Sequence, residues 1–127
     1  MKSSVAAVGV LAILAVSLLS LPPCRAADEV DITGTYKVEG TTKDQCFVTK
    51  KGDVYQLEWR YSTGVWLGVG IRDGDVLSVG WDRPQGGNLG VSIFKIEKGD
   101  KGPKLTSRWA AYQDNKLGKE VLIFEAK

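Results

Sequence analysis

Eight short β-type runs, each closed by Gly, Asp, Asn or Pro, leave this chain few folds to choose from. They cover residues 32–38, 45–50, 54–61, 64–71, 76–81, 89–97, 105–110 and 120–124. Only a few residues separate one run from the next. That spacing suits hairpins and leaves no room for the crossover helices that parallel strands need. Within the runs the side chains alternate. Ile32, Gly34, Tyr36 and Val38 share one face, and Thr33, Thr35, Lys37 and Glu39 the other. Tyr55, Leu57, Trp59 and Tyr61 stand opposite Gln56, Glu58 and Arg60; Leu105, Ser107 and Trp109 stand opposite Thr106 and Arg108. Each of these is a strand with one buried and one solvated face. No stretch sustains an apolar period of 3.6, so helix is not expected. The expected fold is all-β: an eight-stranded antiparallel up-and-down barrel, with a meander sandwich as the fallback.

Ahead of the runs, Met1-Lys2 gives a positive start and residues 5–21 are almost wholly apolar. Pro22-Pro23 and the small Ala26-Ala27 follow, the order of a secretory signal peptide cleaved after Ala26 or Ala27. The expected division is a signal over residues 1–26 and one barrel domain over 27–127, working in the periplasm or outside the cell. Leu21-Pro22-Pro23-Cys24 is similar to a bacterial lipoprotein box, but Pro23 stands where that box has Gly, Ala or Ser. Lipidation of Cys24 is therefore the minor alternative.

Removal of Lys2 and Arg25 brings 17 cationic residues down to 15, balancing the 15 anionic ones. A neutral domain without a basic run is not a nucleic-acid binder, nor does it carry a polybasic membrane patch. No membrane-spanning segment is expected in the processed chain. Cys46 is then the only remaining thiol, so no internal disulfide forms and the domain rests on its core. Its place in an alternating strand beside Phe47 and Val48 marks it as a buried structural thiol.

Asp73-Gly74 is the strongest turn signal and predicts a two-residue type I′ hairpin loop. Arg72 would then face Asp75, Gly70 would oppose Leu77, Gly68 would oppose Val79, and Trp66 would oppose Trp81. The other face of this hairpin is also apolar: Val65, Leu67, Val69, Ile71 and Val76. A strand apolar on both sides must be covered on both. These five residues are the candidate interface for a second copy or a protein partner, unless the loop over residues 82–88 folds back across them. Gly68 and Gly70 make room for a bulky neighbour, with Trp66, Trp81 and Trp109 as the candidates.

The chain contains no histidine. This removes the Ser-His-Asp and Cys-His arrangements, the usual zinc sites and the commonest general base. Glu58 and Glu120 are the only carboxylates embedded in strands that merit naming, and surface ion pairing accounts for both. Asp73-Gly74-Asp75 lacks the later ligands of a calcium loop. No cofactor, metal site or enzymatic activity is expected. The positive signal is aromatic: four Trp and four Tyr. They are either core or the lining of an open barrel mouth. An eight-stranded barrel is just wide enough to be filled by side chains or to hold one small ligand. Alternation nominates Tyr36, Tyr55, Trp59, Trp81 and Trp109 as contacts for a small apolar or glycan-like molecule.

The opening Ile32-Thr33-Gly34-Thr35-Tyr36 resembles the Gly-x-Trp or Gly-x-Tyr first strand of the avidin- and lipocalin-like barrels. A longer pattern runs through GTYKVEG at 34–40, GVGIRDGDVLSVGW at 68–81, GVSIFKIEKG at 90–99 and KLTSRW at 104–109 to a Glu120-x-Leu122 strand. It is similar to small exported bacterial proteins of planctomycete type, some of them called fibronectin-binding. That resemblance implies an exported barrel and, as the alternative function, an adhesion-type surface protein. A segment that adds to fibronectin modules would be acidic and extended, and the chain has none. The polar ring that holds biotin in avidins is not matched residue by residue here; only Tyr36 falls at a comparable place.

Overall fold

The computed structural model describes residues 29–127. The expected signal peptide, its cleavage site and Cys24 lie outside the described residues. The chain forms eight strands: β1 Gly34–Val38, β2 Gln45–Lys51, β3 Val54–Tyr61, β4 Gly64–Asp73, β5 Val76–Asp82, β6 Leu89–Lys98, β7 Pro103–Ala111 and β8 Gly118–Ala126. Each pairs antiparallel with the next, and β1 pairs with β8 to close the barrel. Closure satisfies every strand edge, a condition that an open sheet of this size meets only with added cover. The sandwich fallback is thereby excluded.

Alternation decides what lies inside. Tyr36, Val38, Cys46, Val48, Tyr55, Leu57, Trp59, Leu77, Val79, Phe94, Ile96, Leu105 and Leu122 form one buried cluster with Ile32. Cys46 is a buried free thiol, and burial pushes its pKa up, which keeps it an unreactive packing residue.

The two ends of the barrel differ. At one end the links are tight: Lys51 pairs with Val54, Asp73 with Val76, and Lys98 with Pro103. The N-terminal segment closes this end. Ile32 is fully buried, the Tyr36 hydroxyl donates to the Ile32 carbonyl over 2.7 Å, and the Phe124 ring meets Tyr36 edge-on. The Arg72 guanidinium donates to the carbonyls of Val30 and Gly74. Asp31 binds Lys127, which with Thr33 holds the Asp31 carboxyl down at about 2. That tie is present above the ordinary 3.8 and is lost as pH falls towards 2. At the opposite end the longer links over residues 39–44, 83–88 and 112–117 leave a mouth.

The β4–β5 turn is displaced from the expected one. Asp73 faces Val76, so the loop is Gly74-Asp75, not Asp73-Gly74. Gly74 has φ of 61°, and among the described residues no non-glycine has positive φ. A type I′ turn needs positive φ at both central positions, whereas type II′ needs it only at the first, where glycine sits. The shift moves pairing by two residues, so Gly70 faces Val79, Gly68 faces Trp81, and Arg72 faces Leu77. An even shift preserves the faces, which is why the inside–outside assignment survives the wrong register.

The glycines seat rings, though the partners differ from those expected. A Cβ on Gly68 would lie 2.8 Å from the Trp59 ring and 2.7 Å from Val79, and one on Gly70 would press on Leu77 and Val79. Trp81 instead lies over Gly90, and Trp109 over Gly118, each its direct cross-strand partner. By contrast, Gly80 points outward with nothing within 4 Å of the same added atom. Gly68→Ala is therefore expected to lower unfolding free energy by about 1–3 kcal/mol through overpacking. Gly80→Ala should be neutral or raise it by up to about 1 kcal/mol. Urea denaturation of the two variants checks the contrast; equal effects would contradict the packing assignment.

Candidate functional site: the open barrel mouth

β3 delivers Trp59 and Tyr61 to the open end, β4 delivers Trp66, β5 Trp81, β6 Ser92, β7 Trp109 and β8 Glu120. All occupy inward positions of their strands. They surround a cavity of about 350 Å³, whose rim is completed by Thr63, Asn88 and Lys119. Trp59 is its floor: 3% exposed, stacked on Phe94 with ring centroids 6.4 Å apart, and separating the packed core from the mouth.

The rings form corners. Trp81 meets Trp109 at 73° with centroids 6.3 Å apart, and Tyr61 meets Trp66 at 77° and 5.3 Å. Trp81 Nε1 donates to Ser92 Oγ over 2.9 Å, fixing the indole against the wall. Arg83, in the 83–88 loop, donates to the Thr63 carbonyl over 2.9 Å and places its guanidinium 5.1 Å from the Trp66 centroid. This latch ties two loops of the rim together. Arg83 Nε and Asn88 Oδ1 are buried there without hydrogen-bond partners among the described residues.

One charged group points into this aromatic enclosure. Glu120 accepts from Trp59 Nε1 over 3.0 Å and from the Tyr61 hydroxyl. Its surface assignment from sequence is corrected here: Glu120 shares the inward face of β8 with Leu122. Glu58 does conform to it, lying on the outer face and bonding Arg60 at 3.3 Å. Burial raises the Glu120 pKa, and the two donors only partly offset that. The same carboxylate and burial hold the Tyr61 hydroxyl protonated far into alkali.

Of the five nominated contact residues, Trp59, Trp81 and Trp109 come together at the mouth. Tyr36 and Tyr55 do not. Tyr36 is fully buried at the plugged end and Tyr55 is packed inside the wall, so neither lines this cavity. Sequence reasoning missed Tyr61, Trp66, Ser92 and Glu120 as its walls. The signal for Glu120 was present: stepping back by two from Leu122 along a strand keeps the same face.

A larger groove, about 600 Å³, runs outside the wall between the 99–102 turn and the outer faces of β1 and β8. Its lining mixes Lys37, Lys98, Lys101 and Lys104 with Glu39, Asp100 and Glu125, beside Pro103, Ile123 and Phe124. Opposed, hydrated side chains of both signs provide no single recognition chemistry. The smaller mouth is the better-built site.

The residues nominated as a partner interface divide. Leu67, Val69 and Ile71 are 45%, 57% and 73% exposed, while Val65 and Val76 are half-buried. The 82–88 segment does not fold back over this face; it turns towards Thr63 at the rim. β6 adds Leu89, Val91 and Ile93, all exposed, on the same outer surface.

No protein-family model, curated protein or solved structure matches this chain. What the structure shows is the closed eight-stranded antiparallel architecture.

Because the folded chain holds the Glu120 proton to higher pH than the unfolded chain does, this group stabilises the fold most below the ordinary 4.5. Its contribution should decline as pH rises from 4.5 through the native pKa. Glu120→Gln should remove that slope in denaturation series. Glu120→Ala, which leaves Trp59 Nε1 and the Tyr61 hydroxyl without an acceptor, should cost on the order of 2 kcal/mol. A wild-type slope unchanged in the Gln variant would refute the assignment.

Proposed function

We propose that this chain is an exported, noncatalytic binding protein that holds one small ligand in the open mouth of its barrel. The observation that carries the reading is the enclosure above Trp59: five aromatic side chains, with Glu120, Ser92 and Asn88 as polar points, around about 350 Å³. That volume lies at the lower end of ordinary ligand pockets, which are apolar with a few placed polar groups. The ring faces suit the apolar or C–H surface of a small molecule, whether hydrocarbon-like or glycan-like. Export is supported by the order of charged, apolar and small residues at the start of the sequence. A binding role rather than an enzymatic one is favoured by the lack of histidine and by a single carboxylate at the mouth.

The test is nitrogen–proton NMR of the labelled protein titrated with methyl glycosides and small cyclic alcohols. The indole signals of Trp59, Trp81 and Trp109 should move with at least one class, while the amides of Tyr36 and Tyr55 stay in place. A set of probes that moves none of the indoles would contradict the reading.

A second reading concerns the outer wall and has a second copy of the chain as its occupant. Two exposed ridges, Leu67-Val69-Ile71 on β4 and Leu89-Val91-Ile93 on β6, flank Ser78, Gly80 and, at one end, Asp82 on β5. A ridge beside a shallow furrow is complementary to itself when turned through a two-fold axis. These six side chains expose on the order of 600 Å² together, the upper range for a monomer's apolar patch and close to one partner's share of a standard interface. Light scattering at high protein concentration should return a dimer that Ile71→Lys splits. A clean monomer at all concentrations would remove this reading.

A further inference from the structure

We propose that the ligand held in the mouth carries a compact organic cation, an ammonium group with an apolar skin, seated between the perpendicular rings and facing Glu120. This rests on the mouth being a ligand site and names the chemistry of the ligand's polar end.

Three features of the enclosure converge on it. The first is ring geometry. Saccharide rings stack on flat aromatic platforms, but the pairs here meet edge-to-face at 73° and 77°, so neither pair offers one flat platform. Faces of Trp and Tyr carry negative potential, so the aromatic lining of the mouth favours a cation over an anion, and over a neutral group of the same size. The second is the carboxylate. Trp59 and Tyr61 each donate one bond to Glu120, and a carboxylate accepts about four. Covering the remaining lone pairs with a neutral apolar ligand would bury them unsatisfied, which costs free energy; covering them with a cation offsets that cost. The third is Asn88 Oδ1 at the rim, an acceptor without a hydrogen-bond partner among the described residues, as the Arg83 Nε donor also is. A cation is already held in this manner by the fold itself: Arg83 lies over Trp66. Lys119 is exposed on the outward-alternating position of β8, so it does not neutralise Glu120 from within.

The prediction extends to pH. The titratable groups that bear on Glu120 are Tyr61 on β3, Asp44 in the 39–44 loop and Cys46 on β2. Tyr61 and Cys46 remain protonated through neutral pH, because burial raises both. The Asp44 charge adds to burial in holding Glu120 protonated to higher pH. Cation affinity should therefore rise with pH through the Glu120 transition, as the carboxylate loses the proton that competes with the ligand.

The test is the affinity of choline against its uncharged carbon isostere, neopentyl carbinol, read by indole NMR shifts and calorimetry on the full processed chain. Choline should bind about tenfold more tightly or better, an advantage of the size that a desolvated cation–π contact provides. Glu120→Gln should reduce that preference severalfold, leaving the part that the rings supply. If the variant fails to fold, the wild-type pH series serves: choline should bind more weakly as pH falls, while the isostere stays level. Equal affinity, or a preference for the uncharged isostere or a methyl glycoside, would overturn the cation while leaving the mouth as a binding site. Movement of no indole signal by any of these probes would overturn both.

Discussion

Trp59 is the element on which the two halves of this barrel depend. Its ring lies over Gly68, stacks on Phe94 and donates its one N–H to Glu120. Below it, Phe94, Tyr55 and Tyr36 fill the lumen together with the aliphatic side chains of the core; above it lies the cavity of the mouth. A small barrel can be filled by side chains or can hold a ligand, and this one does the first at one end and leaves room for the second at the other. The dividing position must carry a ring large enough to span the lumen and polar enough to bond a carboxylate. Tryptophan meets both conditions, and a glycine on the adjacent strand gives it space.

The same rule operates around the rim. Trp81 over Gly90 and Trp109 over Gly118 are ring-on-glycine pairs across neighbouring strands, which let large side chains lie flat against the wall instead of filling the centre. Flat-lying rings leave the space that Glu120 faces. At the opposite end, tight turns and the buried Ile32 close the lumen among the described residues. The barrel is thus a cup, with one floor and one mouth. Its charged group sits where water is scarce enough to matter yet a ligand still has access.

Much of the architecture was legible because strand alternation is a strict period. The eight runs, their antiparallel order and the inward set from Tyr36 to Leu122 follow from it, and the strand ends moved by only a few residues. The hairpin at Gly74 shows where the reading failed: a dipeptide signal did not say which of two adjacent pairs forms the loop, and backbone dihedrals decided it. The candidate site was half legible. Trp59, Trp81 and Trp109 were named from alternation, yet so were Tyr36 and Tyr55, because alternation says inside without saying how far along the axis. Glu120 was misplaced for a different reason. A carboxylate in a strand is usually solvated, and that expectation outweighed the two-residue step from Leu122 that puts this one on the inward face. The outer ridge on β6, Leu89-Val91-Ile93, also escaped notice, since an apolar set on an outward face differs from a buried one only once the wall is closed.

The central claim is that the space above Trp59 belongs to a small molecule. Native mass spectrometry of the protein recovered without denaturation from the cells that make it tests this most directly. The account predicts one small-molecule adduct per chain, absent from a Ser92→Trp variant in which the mouth is filled. A wild-type chain recovered bare, at the same mass excess as the filled variant, would contradict it.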